Sequence, residues 1–178
     1  MPAPSLTSAP VLETARLRLR AHRPDDFAEC AAMWGDEIVA RHIGGRQFTP
    51  EESWSKILRY AGLWSLLGFG YWALEEKSSG RFVGEVGFAD FKREMTPSLD
   101  GLPESGWVLA PWAHGAGLAT EAMRAALEWS DAHVGPKTSC IIDPTNTASI
   151  AVALKCGYRE IARTTYKGGP TILFHRGA

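Results

Sequence analysis

The chain has 178 residues, 45% hydrophobic and 22% charged, with seven Trp and seven Phe. That composition excludes a disordered, collagen-like or coiled-coil chain, and a domain of this length buries about 70% of its extended surface without a disulfide or metal staple. Nineteen Lys and Arg against twenty Asp and Glu leave a formal net charge of -1, so the basic footprint of a nucleic-acid binder is missing and no nucleic-acid partner is expected.

Cys30, Cys140 and Cys156 are odd in number and form neither a Cys-x-x-Cys pair nor a Cys/His cluster. Reduced thiols, no metal site and a cytoplasmic location are the expectation. Residues 1–10 carry neither a basic n-region nor an apolar h-region, and no apolar run reaches the roughly eighteen residues of a membrane span. Secretion and a membrane partner are disfavoured. Residues 1–10 read as a flexible tail ahead of one domain over 11–178.

Leu17, Leu19 and Ala21 alternate with Arg16, Arg18 and Arg20, which predicts a half-buried strand with a basic second face. Pro24-Asp25-Asp26 then opens a helix towards Trp34. Thr49-Pro50-Glu51-Glu52 is a strong second helix start: Thr49 caps, Pro50 suits the first helical position and Glu52 completes a capping box. That helix is expected to bury Trp54, Ile57, Leu58 and Ala61. Tyr71 to Glu75 and Arg81 to Phe91 read as a hairpin, and the polar run Lys92 to Pro103 as a long connection. Glu104 to Leu109 reads as a strand, Leu118 to Val134 as a helix and Thr138 to Ile142 as a strand. A short helix from Thr147 to Cys156 and strands over Tyr158 to Thr165 and Thr171 to His175 complete the order. Strands interleaved with helices give an α/β (α+β) sandwich with helices on both faces of a central sheet.

The informative segment is Trp112-Ala113-His114-Gly115-Ala116-Gly117-Leu118-Ala119-Thr120-Glu121-Ala122, which follows a strand and opens a helix. Glycines at 115 and 117 remove side chains where the first helical N–H groups are unpaired, so a pyrophosphate can approach the backbone and the positive end of the helix dipole. A P-loop is absent. A dinucleotide fingerprint lacks its third small residue at Thr120, although Asp143 stands near the position of its acidic partner. A second segment, Asp143-Pro144-Thr145-Asn146-Thr147-Ala148-Ser149, runs through Leu154-Lys155-Cys156-Gly157-Tyr158 and places Asn and Ser at the mouth of a short helix.

Together the two segments resemble the GNAT acetyltransferases, in which Arg/Gln-x-x-Gly-x-Gly/Ala binds the pyrophosphate of acetyl-coenzyme A (acetyl-CoA) and an Asn-x-x-Ser helix flanks its pantetheine arm. Leu12 to Arg20 with Pro24-Asp25-Asp26, Phe82-Val83-Gly84-Glu85-Val86-Gly87 and Glu104-Ser105-Gly106-Trp107 resemble the RimJ/RimL branch. The likeness therefore extends from Leu12 to about Arg176. It implies a single-domain, largely antiparallel mixed sheet and an enzyme that moves acetyl from acetyl-CoA to a primary amine, with no metal, and it leaves room for a homodimer. Trp112 stands where the family motif has Arg or Gln.

Carried over residue by residue, the resemblance implies that the cofactor is held by His114, Gly115, Ala116, Gly117, Leu118, Ala119, Thr120, Asn146 and Ser149. Val108 and Leu109 belong to the strand that in the family runs beside the thioester. Ser149 is the implied acid for the leaving thiolate and Glu104 the expected base, with Glu85, Asp90 and His114 as alternatives. Trp34, Gly44-Gly45-Arg46, Trp54 and the connection Lys92 to Pro103 are expected at the acceptor groove. A non-catalytic acyl-CoA-binding protein with the same fold is the competing reading, and Glu104 and Ser149 favour the enzyme.

Overall fold

The computed structural model describes residues 7–177. Its elements are β1 (Leu12–Glu13), β2 (Leu17–Arg20), α1 (Phe27–Trp34), α2 (Glu37–Ala40), α3 (Pro50–Leu67), β3 (Tyr71–Glu76), β4 (Phe82–Ala89), β5 (Glu104–Leu109), α4 (Leu118–His133), β6 (Thr138–Ile142), α5 (Thr147–Lys155), β7 (Arg159–Tyr166) and β8 (Gly169–Arg176). The eight strands form one sheet in the order β1-β2-β3-β4-β5-β6-β8-β7. Every neighbouring pair is antiparallel except β5 and β6. This is the largely antiparallel α/β sandwich the sequence implies. No helix among the described residues is long and apolar enough to cross a membrane.

Alternation in the sheet assigns the layers. Val86 and Phe88 of β4 and Leu109 of β5 pack beneath Leu118, Ala122, Met123, Ala126 and Leu127 of α4, together with Ala153 of α5. On the other face, Ala73 of β3 and Phe82 of β4 meet Cys30, Met33 and Trp34 of α1 and Ile57 of α3. Three indoles tie the layers together at one end. Trp64 of α3, Trp72 of β3 and Trp129 of α4 lie edge to face, with ring centroids 4.7–5.2 Å apart.

Residues 1–6 lie outside the described residues. Of the rest of the expected tail, Ala9 is buried against the core, and the Pro10 carbonyl accepts a 2.8 Å hydrogen bond from Trp72 Nε1. The expected basic face of β2 is only partly solvated. Arg18 is half-exposed, whereas Arg20 is buried and forms a bidentate pair with Asp26 (2.8 Å to each oxygen) while its Nε reaches Glu75 at 2.8 Å. Arg20 thereby locks β2 to the turn that starts α1.

The capping box of α3 forms as expected: Glu52 N–H donates to Thr49 Oγ1, and Thr49 N–H donates back to Glu52 Oε2. Its buried face differs. Ser53, Ile57, Tyr60 and Trp64 point inward, whereas Trp54, Leu58 and Ala61 lie on the outer side, Leu58 at 55% exposure. Polar tips decide the rotation: Tyr60 Oη donates to Glu85 and Trp64 Nε1 to the Tyr71 carbonyl, two bonds where the outer stripe of Trp54, Leu58 and Ala61 has one donor, the Trp54 indole. Ile57→Ala is therefore expected to lower stability by about 2–4 kcal/mol, and Leu58→Ala by no more than about 0.5 kcal/mol. Denaturant unfolding of the two variants checks the ranking.

Candidate active site

The two parallel strands at the centre of the sheet share a single ladder position, Glu104 opposite Ser139. Beyond it β5 and β6 diverge, so the later backbone groups of β5 face a gap instead of a neighbour. A peptide edge in mid-sheet requires a hydrogen-bonding partner, and an extended amide-bearing ligand fits such a gap. Ser139 adds a buried hydroxyl without a partner at the point of divergence. Ligand sites in α/β sheets form beyond the carboxyl ends of such strands, and both chemistry-bearing segments begin there.

After β5, a single 3₁₀ turn over Pro111–Ala113 leads into the glycine loop. Gly115 and Gly117 take φ values of 76° and 78°, a left-handed conformation that disfavours any side chain. Gly117 is the N-cap of α4 and brings no side-chain acceptor, so the positive end of α4 stays available to an anion. Leu118 buries its side chain, while Ala119 and Thr120 are half-buried on the first turn. Arg16 holds the loop from outside, donating to the Ala116 carbonyl at 2.9 Å and pairing with Glu121 at 2.7 Å. A ring nitrogen of His114 bonds the Leu109 carbonyl at 2.8 Å, which occupies it in loop closure. Trp112, 39% exposed, carries the Arg81 guanidinium 4.1 Å above its ring. Where the family motif has a cation or an amide, this chain has an aromatic that holds a cation from the β3–β4 turn.

After β6, Asn146 Oδ1 accepts from the Ser149 N–H at 3.1 Å and caps α5, leaving the Asn146 amide nitrogen and the Ser149 hydroxyl as free polar groups at the helix mouth. Thr145 donates its N–H and its hydroxyl to Asp143 Oδ1, 2.7 Å each, and its Oγ1 meets His42 Nδ1 at 3.3 Å, so the 41–46 loop borders the same opening.

Glu85, Tyr71, Gly106, Val108 and Glu104 share the sheet face under α1 and α3. Glu104 is buried and held by Arg93, with 2.5 Å from Nε and 2.7 Å from Nη2. Glu85 is fully buried. Cys30 Sγ (3.4 Å) and His22 Nε2 (3.3 Å, an ion-pair contact without hydrogen-bond alignment) approach its Oε1. Trp34 Nε1 (3.0 Å) and Tyr60 Oη (3.1 Å) donate to its Oε2. Burial alone would raise the Glu85 pKa, but His22, the Lys56 charge and the Trp34 N–H outweigh it and hold the carboxyl below its ordinary range. Ligand atoms of His22, Cys30 and Glu85 lie within 4.8 Å of one another, yet His22 and Cys30 converge on the Glu85 oxygen itself, as donors around an anion do. Asp90 lies beyond the end of β4 and pairs with Lys92.

Sequence reasoning missed three participants. Tyr71 reaches across Gly87 so that a Cβ on Gly106 would overlap its hydroxyl; Gly106 in an otherwise large-residue strand is the sequence trace of that approach. Burial, with the Glu104 and Glu85 charges, pushes the Tyr71 phenol far above its ordinary pKa. Arg93 and His22 are the others, and each became visible only through its tertiary partner. Of the expected acceptor residues, Trp34 is buried beneath Glu85, Arg46 pairs with Glu52, and Trp54 packs edge-on against Phe27 at the outer side of α3.

The profile of the "Acetyltransferase (GNAT) domain" matches residues 16–159. The chain belongs to the GNAT acetyltransferase family. As a GNAT enzyme it uses acetyl-CoA as the acetyl donor. It is 31% identical over 153 residues to the uncharacterized Bacillus subtilis protein YkkB, covering 82% of this chain and 83% of YkkB. A Bordetella pertussis protein described as GnaT-family is 30% identical, with a TM-score of 0.83 over 95% of this chain and 100% of that one. RimL, a ribosomal L7/L12 acetyltransferase solved with coenzyme A, shares the fold at 13% identity, with a TM-score of 0.76 over 94% and 97% of the two chains.

The open β5 edge presents main-chain groups to an amide-bearing ligand, and the Gly115–Gly117 loop leaves the start of α4 clear of side chains. Gly117→Val is expected to weaken coenzyme A binding at least tenfold, about 1.4 kcal/mol, in calorimetric titration of the folded variant. Glu85 sets an acid limit. Its depressed pKa contributes stability above the ordinary carboxyl value near 4.5, and that contribution is lost as pH falls through the lower folded value. Folded Glu85→Gln should lose less stability than the parent between pH 6 and pH 3 in denaturant titrations.

Proposed function

We infer that this enzyme acetylates a primary amine by direct attack on the thioester of acetyl-CoA, as a RimJ/RimL-type N-acetyltransferase. The observation that carries the reading is the single-rung β5–β6 junction, with the Gly117 start of α4, which has no side-chain cap, and the Asn146-capped start of α5 at the two strand exits and Glu104 on the sheet face beside them. His114 to Thr120 cradle the pyrophosphate through the loop backbone, Val108 and Leu109 run along the pantetheine, and Asn146 and Ser149 close the opposite side.

The donor supplies an activated acyl group, and the chain's task is to orient the amine and move two protons. Glu104 is the base. A carboxylate has about four lone-pair sites, and Arg93 takes one on each Glu104 oxygen, which leaves one on each for the ammonium proton. Glu85 has two approaching groups on each oxygen, and Asp90 stands off the sheet, so lone-pair accounting favours Glu104 over both. The amine nitrogen bonds to the acetyl carbon, the C–S bond breaks, and the thiolate takes a proton from the Ser149 hydroxyl, which recovers one from water while the nitrogen gives up its second proton to that water as the amide forms. Tyr71, kept protonated at neutral pH, offers its O–H beside Gly106 as a hydrogen-bond donor to charge developing on the acyl oxygen.

Ser149→Ala should lower kcat by roughly 10²-fold while coenzyme A affinity stays within a few-fold. Glu104→Gln should lose the rate near neutral pH and regain part of it as rising pH deprotonates the free amine. A pH–rate profile of both variants on one acceptor, under conditions where chemistry limits turnover, checks these outcomes. Profiles that superimpose on the parent remove the two residues from the reaction.

A further inference from the structure

On the α3 side of the sheet, Lys56 and Arg59 have no ion-pair partner among the described residues. Lys56 of α3 places Nζ 3.7 Å from the centre of the Trp34 ring and 4.8 Å from that of Phe48. One turn along α3, Arg59 lies 5.2 Å from the centre of Phe91, and Arg93 lies 4.8 Å from the same ring. Arg93 has Glu104 as a partner. Among the described residues, no carboxylate stands within ion-pair distance of Lys56 or Arg59.

Arg59 is exposed to water, whereas Lys56 is sheltered; aromatic contact offsets part of the loss of water around Lys56, but a sheltered cation is fully stabilised only by an anion. Burial, with repulsion from Arg59 and Arg93, pushes the Lys56 pKa down to about 8 against the pull of Glu85, which marks an ammonium short of a counter-charge. Three negative groups of the same region are spoken for, Glu85 by its four neighbours, Glu52 by Arg46 and Asp90 by Lys92, while the exposed Glu94 and Asp100 lie on the 92–103 connection. A polycationic acceptor would meet the charges of Lys56 and Arg59 here, neither of which has an ion-pair partner among the described residues.

Both cations are tied to the proposed reaction centre. Lys56 covers the indole whose N–H bonds Glu85, and Arg59 shares the Phe91 ring with the guanidinium that holds Glu104. We propose that Lys56 and Arg59 form an anion subsite beside the amine position, and that the acceptor is a small primary amine bearing a carboxylate, of the amino-acid class. The inference rests on the acetyltransferase reading above. It adds that the amine is delivered to Glu104 while the far carboxylate is gripped by α3.

Thiol release from acetyl-CoA is measured with glycine, β-alanine and γ-aminobutyrate, each beside its carboxamide and the diamine of matching length. At least one amino acid is expected to exceed its carboxamide and diamine by tenfold or more in kcat/KM. In Arg59→Ala and Lys56→Met the preference, read as the ratio of amino acid to carboxamide within each variant, should fall below threefold, and Arg59→Lys should restore part of it. Calorimetric titration of the same amines into the coenzyme A complex reads the subsite without turnover, with tighter binding expected for the amino acid. Equal binding of amino acid and carboxamide, preference for diamines, or a preference that survives both substitutions overturns the inference. Absence of thiol release with every amine would instead refute the transfer reading, and the binding arm would still decide the subsite.

Discussion

A sheet that stops pairing in its own middle is the constraint around which this protein is arranged. Strand edges ordinarily end at the rim, where water satisfies them. Here β5 and β6 part after Glu104 and Ser139, and the open edges lie between the two helical layers. Parallel orientation is what makes the gap useful: both strands leave it in the same direction, so both following loops and both helix starts gather at one mouth. The glycine loop and the Asn146-capped turn thus face one opening, though 29 residues separate Gly117 from Asn146 in the sequence.

The layer formed by α1 and α3 is organised by Glu85. A buried carboxylate is tolerable only when its lone pairs are met, and the groups that meet it come from the β2–α1 segment, α1 and α3. The same bonds that neutralise the anion therefore fix the rotation of α3, and that rotation decides which side presents Lys56 and Arg59.

Much of this was legible from local rules. The apolar stripe of α4, the Thr49 capping box and the two segments at the strand exits needed only periodicity and helix-end chemistry. The inner face of α3 was not legible, because its two apolar stripes are similar in size and the choice lies with hydrogen bonds to Glu85 and the Tyr71 carbonyl, groups distant in sequence. Arg20 was misread for a related reason: alternation marks it as outward-facing, whereas Asp26 and Glu75 provide a buried charge pair that alternation cannot encode. The Arg93–Glu104 pair joins a polar connection to a strand start, and nothing local distinguishes that arginine from its neighbours.

The indole cluster has an optical consequence. Trp64, Trp72 and Trp129 are held at fixed tilts with centroids near 5 Å, close enough for their excited states to couple. One ring belongs to α3, one to the sheet and one to the helix that starts at the glycine loop. Their joint circular-dichroism signal thus reports the docking of both layers at once, and would vanish with tertiary order while helix content persisted.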